Sequence, residues 1–238
     1  MSHITTRIRI SNRKLAIAAI VLVALSYGLT SRTLFAGESA PSQTTSDIAA
    51  LGKKVFFDTS LSASGRMSCA TCHDPAHAYG PPNALPVQLG GPGLDRQGAR
   101  AVPSLRYALN RTPAWHKRFI ENPAERILEG NDPPTGGFGW DGRFNTLHDQ
   151  ASFPLLAPNE MANAGPADVA AKLQRASYAD DFRKAFGNDI FDDPAKAYAK
   201  ALIAIERFQL EDPGFHPFSS KYDDYLDGKV RLSAQEQR

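Results

Sequence analysis

The stretch Cys69-Ala70-Thr71-Cys72-His73 decides how this chain is interpreted. Its spacing, Cys-x-x-Cys-His, is the one by which a polypeptide takes up a c-type haem covalently. Two residues between the thiols let one helical turn present both sulfurs to the two vinyl groups of the porphyrin. The next residue can then bring its imidazole under the iron as the proximal ligand. The motif therefore predicts one haem c, bonded to Cys69 and Cys72 and ligated by His73.

The motif has two other interpretations, a zinc site and a disulfide. The chain contains only 2 Cys, so a zinc site would need two more ligands from scattered His, Asp or Glu, and the spacings offer no second pair. A redox or structural disulfide between Cys69 and Cys72 stays open, since a bare Cys-x-x-Cys is also a dithiol motif. A disulfide would not explain why a histidine, His73, directly follows the second cysteine.

The N-terminus has the layout of a secretory signal. Four basic residues precede the apolar run Leu15 to Leu25, and small and polar residues follow it. A membrane span needs roughly 20 apolar residues, so this run is short for a stable anchor, although an uncleaved anchor stays open. We predict a signal peptide or N-terminal anchor over residues 1–36, a linker over 37–46 and a haem domain over 47–238. Export together with covalent haem predicts a periplasmic location.

The charge balance argues against a nucleic-acid partner. Residues 1–36 carry five Lys or Arg and no acid, so the rest of the chain carries 22 basic and 25 acidic residues, a formal net charge of −3. A nucleic-acid surface would need clustered Lys and Arg interleaved with aromatic residues. We therefore expect no nucleic-acid binding.

The hydrophobic pattern predicts an all-α fold with long loops rich in Gly and Pro. Ser46 or Asp47 can cap one helix, and Asp193-Pro194 can begin another. The apolar residues in phase are Ile48, Leu51 and Val55 in the first helix, and Tyr198, Ala201, Leu202, Ile205 and Phe208 in the second. Shorter helices are predicted after Pro103, Pro166 and Tyr178, and loops over 80–100 and 129–142. No alternating strand pair and no internal repeat is visible.

Several blocks of sequence together resemble bacterial di-haem cytochrome c peroxidases and the related enzymes that mature other proteins by long-range oxidation. The blocks are Leu51-Gly-Lys-Lys-Val-Phe-Phe-Asp58, Leu61-Ser-Ala-Ser-Gly65, Met67-Ser-Cys-Ala-Thr-Cys-His-Asp-Pro75, Pro103-Ser-Leu105, Trp140-Asp-Gly-Arg143 and Pro158-Asn-Glu-Met161. The resemblance runs from about residue 47 to the end and covers the N-terminal of that family's two haem domains. It implies a cytochrome c-like helical domain built around the peroxide-reacting haem.

The C-terminus suggests a longer natural chain. Ser233-Ala-Gln-Glu236 is a capping-box signature, yet the sequence stops at Arg238 before one helical turn is complete. The resemblance also stops where a second haem domain would begin. Both observations lead to the expectation that a second domain is missing here.

The resemblance implies a catalytic set. Gln150 and Glu160 match the Gln and Glu over the distal face of the haem, and Trp140 matches a Trp that lies between the two haems and passes electrons. Glu160 would move a proton between the two oxygens of H2O2, with Gln150 orienting it or the peroxide. The implied reaction is reduction of H2O2 to water with electrons from a small periplasmic cytochrome c or copper protein. A homodimer stays open.

Two departures from the family pattern matter. Many of these peroxidases carry a His between the haem motif and an Arg-Asn-x-Pro-Ser segment, where it blocks the resting iron. Residues 79–100 contain no His here, which predicts an open or water-bound distal side. Ala101 stands where the Asn would contribute to a calcium site, and a methyl group is no ligand, so calcium is doubtful. His77, His116 and His148 are expected to be solvated or packing residues.

The competing function is a single-haem electron-transfer cytochrome c, with Met161 as the sixth ligand. A thioether ligand raises the potential and closes the site to substrate. The spacing from Cys72 to Met161 is long for a compact cytochrome. A third alternative is a half-domain that binds haem and a partner without turnover.

Overall fold

The computed structural model describes residues 45–107, 112–130 and 132–238. The segment predicted as signal or anchor, 1–36, and most of the predicted linker lie outside the described residues. Within the described ranges the chain forms eight α-helices and four two-residue strands. The helices are α1 (Asp47–Phe57), α2 (Cys69–Cys72), α3 (Pro123–Glu129), α4 (Leu147–Leu156), α5 (Pro166–Arg175), α6 (Ala179–Phe186), α7 (Pro194–Glu211) and α8 (Lys221–Leu226). Short 3₁₀ turns cover Thr59–Leu61, Pro75–His77 and Pro213–Phe215.

Helices α1 and α7 form the centre of the fold, and both predictions are confirmed. Ser46 caps α1, since its Oγ accepts from the backbone N–H of Ala49 at 3.2 Å. Asp193 caps α7 by accepting from the N–H groups of the second and third helical residues. The two helices approach very closely, because a Cβ on Gly52 would lie 1.8 Å from the carbonyl oxygen of Ala204. Only glycine fits at that crossing.

The helices predicted after Pro166 and Tyr178 are confirmed as α5 and α6. The helix predicted after Pro103 is wrong for its described part: residues 103–107 are irregular, and 108–111 lie outside the described residues. The reason is that this segment bonds to other segments of the chain. Ser104 Oγ donates to the Ala78 carbonyl at 2.6 Å, and the N–H of Leu105 donates to the Tyr79 carbonyl at 3.2 Å.

Two short antiparallel ladders contradict the expectation of no strand pair. Strand β1 (Leu89–Gly90) pairs with β2 (Arg96–Gln97), and β3 (His116–Lys117) pairs with β4 (Pro134–Thr135). Two residues a strand are too few to produce a visible alternation in the sequence. The described chain is therefore mostly helical with little sheet, which confirms the predicted class in its main feature.

The core lies between α1, α5, α6 and α7 and extends to the turn that carries the cysteines. An aromatic cluster closes one end of it. Phe56 makes edge-to-face contacts with Tyr79, Phe208 and Phe215, and Tyr79 stacks on Phe215 with ring centres 3.8 Å apart. Among the described helices, none combines the length and apolar character that a bilayer crossing requires.

Candidate functional site

A cavity of about 500 Å³ lies beside the Cys-x-x-Cys-His turn. Its wall is built from α2, the segment 98–105, the segment 137–144, α4, the turn after α4 and α7. All six residues predicted for the site line it: Cys69, Cys72, His73, Trp140, Gln150 and Glu160. Residues that are more than 80 positions apart in the sequence are thus brought to one space.

Helix α2 is a single turn that holds both thiols at the cavity. Its N-terminus is closed by a capping box, in which the N–H of Ser68 donates to Thr71 Oγ1 at 2.9 Å. Burial raises the pKa of the Cys69 thiol to about 12 and that of Cys72 to about 11, and the nearby Glu160 charge adds to both effects. A reactive dithiol needs a lowered pKa. The environment therefore disfavours a redox dithiol.

His73 is oriented by the backbone. Its Nδ1 lies 3.0 Å from the carbonyl oxygen of Tyr79, so Nδ1 carries the proton and the Nε2 lone pair is available for a metal. Burial lowers the pKa of the His73 imidazole. Hydrogen bonds with the backbone at Tyr79 and Pro103 raise it, but the effect of burial is larger. Tyr79 is itself fixed in the aromatic cluster, with a positive φ of 54°. Sequence reasoning missed this orienting role, because no motif marks a backbone acceptor.

These donors fit a covalently attached haem. One helical turn presents two un-ionised, unpaired thiols to a mostly apolar cavity, and the following imidazole is neutral with its Nδ1 proton already engaged. Metal-ligating histidines usually donate their other ring N–H to such an acceptor, and the Tyr79 carbonyl supplies it here. Cys69, Cys72 and His73 are thus the residues that would hold the group.

Glu160 lies in the turn that follows α4, and its backbone is held on both sides. Its N–H donates to the Ala157 carbonyl at 3.0 Å, and its carbonyl accepts from the N–H of Gly91 at 2.7 Å. The side chain is half-buried, and burial raises the pKa of its carboxyl group. Within the described residues this carboxylate has no hydrogen-bond or ion-pair partner, so it is free to bind a molecule in the cavity.

The buried side-chain amide of Asn163 stabilises the segment that follows Glu160. Asn163 donates from Nδ2 to the carbonyls of Leu61 at 2.8 Å and Leu155 at 2.7 Å. Its Oδ1 accepts from the Lys172 ammonium group. Asn163 is only 5 % exposed and was not singled out from the sequence, where a lone Asn carries no signal.

Helix α4 carries Gln150 to the cavity. Thr146 caps its N-terminus. Glu206 of α7 also holds this end, because its carboxylate accepts hydrogen bonds from the backbone N–H of His148 at 2.9 Å and from His148 Nδ1 at 2.7 Å. His148 thus joins α4 to α7 by hydrogen bonds and does not line the cavity. The Gln150 side chain is half-buried and has no hydrogen-bond partner among the described residues.

Trp140 is 62 % exposed, which does not fit ordinary core packing. Its indole N–H donates to the carbonyl of Ala101 at 2.7 Å. Beside it the Arg143 guanidinium lowers the pKa of the Asp141 carboxyl to about 2, so this carboxyl group stays ionised.

His73 is the one histidine that lines the cavity among the described residues. His77 is exposed and bonds Asp74 at 2.9 Å, and His116 is exposed on β3. Met161 is buried and also lines the cavity, so its alternative role as a ligand stays a prediction.

The chain is similar to known proteins over most of its described length. The family model described as di-haem cytochrome c peroxidase matches residues 46–231. The methylamine utilization protein MauG of Paracoccus denitrificans is 37% identical over 195 residues, covering 80% of this chain and 47% of the relative. Cytochrome c551 peroxidase of Nitrosomonas europaea is 27% identical over 193 residues, covering 80% of this chain and 46% of the relative.

A solved structure is similar as well. The diheme peroxidase BthA of Burkholderia thailandensis superposes with a TM-score of 0.69 at 33% identity, covering 84% of this chain and 46% of that chain. The chain thus spans about half the length of the relatives that it matches. The matched range includes the cysteine turn, Trp140, Gln150 and Glu160, and this chain belongs to the di-haem cytochrome c peroxidase family.

Proposed function

We propose that this chain is the peroxide-reacting half of a periplasmic haem peroxidase, which carries one covalent haem c and reduces H2O2 to water. Family membership supports an oxidoreductase of the cytochrome c peroxidase type. The finer assignment rests on the cavity and its side chains.

One observation carries the proposal. Most polar side chains that line the cavity are already engaged: Ser104, Arg100 and Asn159, for example, bond to other parts of the chain. Gln150 and Glu160 line the cavity without a hydrogen-bond partner among the described residues. Unpaired polar groups in a largely buried site are costly unless a ligand binds them, so these two side chains are suited to a small polar substrate.

The haem, when bound, would supply the iron at which the O–O bond of peroxide is cleaved with two electrons. The chain's own residues would handle the protons. Glu160 takes the proton from one oxygen of H2O2 and returns it to the departing oxygen, which leaves as water. Burial raises the pKa of the Glu160 carboxyl above its ordinary value, which makes the group a better proton acceptor than an exposed carboxylate. Gln150 would orient the peroxide by hydrogen bonding.

Electrons would enter from a small periplasmic cytochrome c or copper protein. Exposed Trp140, whose indole reaches both the cavity and the surface, is the proposed relay toward a second haem domain of the complete protein. The relatives' greater length supports such a domain. We also propose that the protein can form a homodimer, and analytical ultracentrifugation would measure its mass in solution.

Met161 supports a second candidate, an electron-transfer cytochrome, because its side chain also lines the cavity. A ferric spectrum separates the two functions. The peroxidase predicts a high-spin ferric haem that changes within milliseconds of H2O2 addition, whereas Met ligation predicts a sulfur-to-iron band and no reaction. Intact mass of the protein from a host competent for cytochrome maturation gives the haem number. Colourless protein without added haem mass would overturn the proposal.

A further inference from the structure

A tyrosine and a carboxylate form a hydrogen-bonded pair outside the cavity lining. Tyr178 is 8 % exposed, and its hydroxyl donates to Asp58 Oδ2 at 2.5 Å. The other oxygen of Asp58 accepts from the backbone N–H of Ser60 at 2.8 Å, which holds the carboxylate in place. Asp58 ends α1 and Tyr178 begins α6, so the pair joins two helices of the core.

The pair is close to Cys69, one of the two cysteines proposed to attach the haem. Tyr178 belongs to the core cluster on which Cys69 packs, and the two side chains are close enough that a charge on one would act on the other. Burial, the hydrogen bond to Asp58 and the Asp58 charge together raise the pKa of Tyr178 above its ordinary value. The phenol is therefore protonated at any physiological pH.

This protonation state limits how the phenol can lose an electron. A buried tyrosine that gives up one electron must also release its proton, because the phenol radical cation is a strong acid. A base within hydrogen-bond reach, at 2.6–3.2 Å or less, can take that proton. Asp58 meets this requirement, since an ionised carboxylate is an acceptor with no proton of its own.

Two other oxidisable side chains, those of Tyr198 and Trp140, lack such a base. Tyr198 donates to the Ser152 hydroxyl at 2.9 Å, and the Trp140 indole donates to a backbone carbonyl. Neither acceptor binds a proton at neutral pH. Among the tyrosines that the structure describes, Tyr178 is the one whose hydroxyl donates to a carboxylate.

We propose that Tyr178 and Asp58 form a proton-coupled, one-electron oxidation site near Cys69, outside the cavity lining. Peroxide is the ultimate oxidant, so the inference rests on the proposed function. One electron passes from the phenol to the haem site that H2O2 has oxidised, the O–H bond breaks, and the proton moves to Asp58 Oδ2. A neutral tyrosyl radical is left. One electron from a donor and the same proton restore the phenol.

The test is rapid-freeze electron paramagnetic resonance of the haem-loaded protein after H2O2 addition. The wild type is expected to give a tyrosyl signal whose hyperfine structure changes when the protein is grown on ring-deuterated tyrosine. Tyr178→Phe should lose this signal, while the matched control Tyr198→Phe keeps it. Asp58→Asn, which still accepts the hydrogen bond but not the proton, should lose it as well. A signal that survives in Tyr178→Phe overturns the inference.

A second arm uses a flash-generated ruthenium(III) polypyridyl complex as the one-electron oxidant, without peroxide. Here too the tyrosyl signal should be present in the wild type and absent in Tyr178→Phe. If H2O2 does not change the haem spectrum, the proposed function fails, and the ruthenium arm still decides the fate of the tyrosine site. If H2O2 changes the spectrum but neither arm gives a signal sensitive to Tyr178, the inference alone fails.

Discussion

Replacement of Glu160 by Gln tests the proposed proton transfer most directly. The amide has the shape of the carboxyl group but cannot take a proton from peroxide. Removal of a general acid–base group typically costs about 10²–10⁴ in rate, which corresponds to about 3–5 kcal/mol in activation free energy. We expect the second-order rate constant for the reaction with H2O2 to fall by that factor, measured by stopped-flow absorbance at the haem band.

The structure also gives the expected effect on stability. The Glu160 carboxylate has no described partner to lose, and burial raises its pKa, so its charged form is less favourable in the folded than in the unfolded protein. A raised carboxyl pKa contributes stability that is present below the unfolded pKa and is lost as pH rises through the folded pKa. At neutral pH the Gln variant should therefore be as stable as the wild type or more stable, as measured by thermal unfolding.

The pH profile of the wild type follows from the same shift. The rate with peroxide should fall as pH drops through the pKa of Glu160, at a midpoint above the ordinary Glu value of about 4.3. Glu160→Gln should lose this limb. The matched control is Glu121→Gln, the same change at an exposed residue outside the cavity. If Glu160→Gln reacts with peroxide at the wild-type rate and with an unchanged haem spectrum, the assignment of Glu160 is refuted.

Three further predictions concern the framework of the site. Glu206→Gln removes the charge that anchors His148 at two points, so it should lower the unfolding free energy by about 1–3 kcal/mol in chemical denaturation and weaken the placement of α4. Gly52→Ala should lower the unfolding free energy by at least about 1–3 kcal/mol, because its Cβ would overlap a backbone carbonyl of α7. The control is Gly165→Ala, where a Cβ would have nothing within 4 Å, and its melting temperature should be unchanged. Cys72→Ala should leave one thioether, seen as a shifted pyridine haemochrome band with the haem mass retained; an unshifted band would contradict thioether attachment at this residue.

Much of the fold and site could be predicted from local pattern. Ser46, Asp193 and Pro166 mark helix starts because capping oxygens and a fixed proline φ act within one turn, and three of the predicted helices begin where these residues stand. The failures have the opposite cause. After Pro103 the backbone bonds to the distant residues Ala78 and Tyr79, a preference that no local pattern expresses.

The helices α3, α4 and α8 also escaped prediction. Helix α4 contains a proline and has a weak apolar stripe, and α3 and α8 bury no residue at all. The periodic signal of α3 and α8 is faint because burial against the core is what creates such a signal, whereas in α4 the internal Pro154 disguises the helix.

The sequence by itself determined which chemistry the cysteine turn can support, because the spacing of two thiols and an imidazole within five residues is set by a single helical turn. It also pointed, through resemblance, to Gln150 and Glu160. Only the tertiary structure decided that these two side chains reach the same cavity as His73 and lack hydrogen-bond partners there, that Tyr79 orients His73, and that Asp58 holds Tyr178 beside Cys69. Those contacts join residues far apart in the chain, and their geometry depends on how the helices pack rather than on any local run of residues.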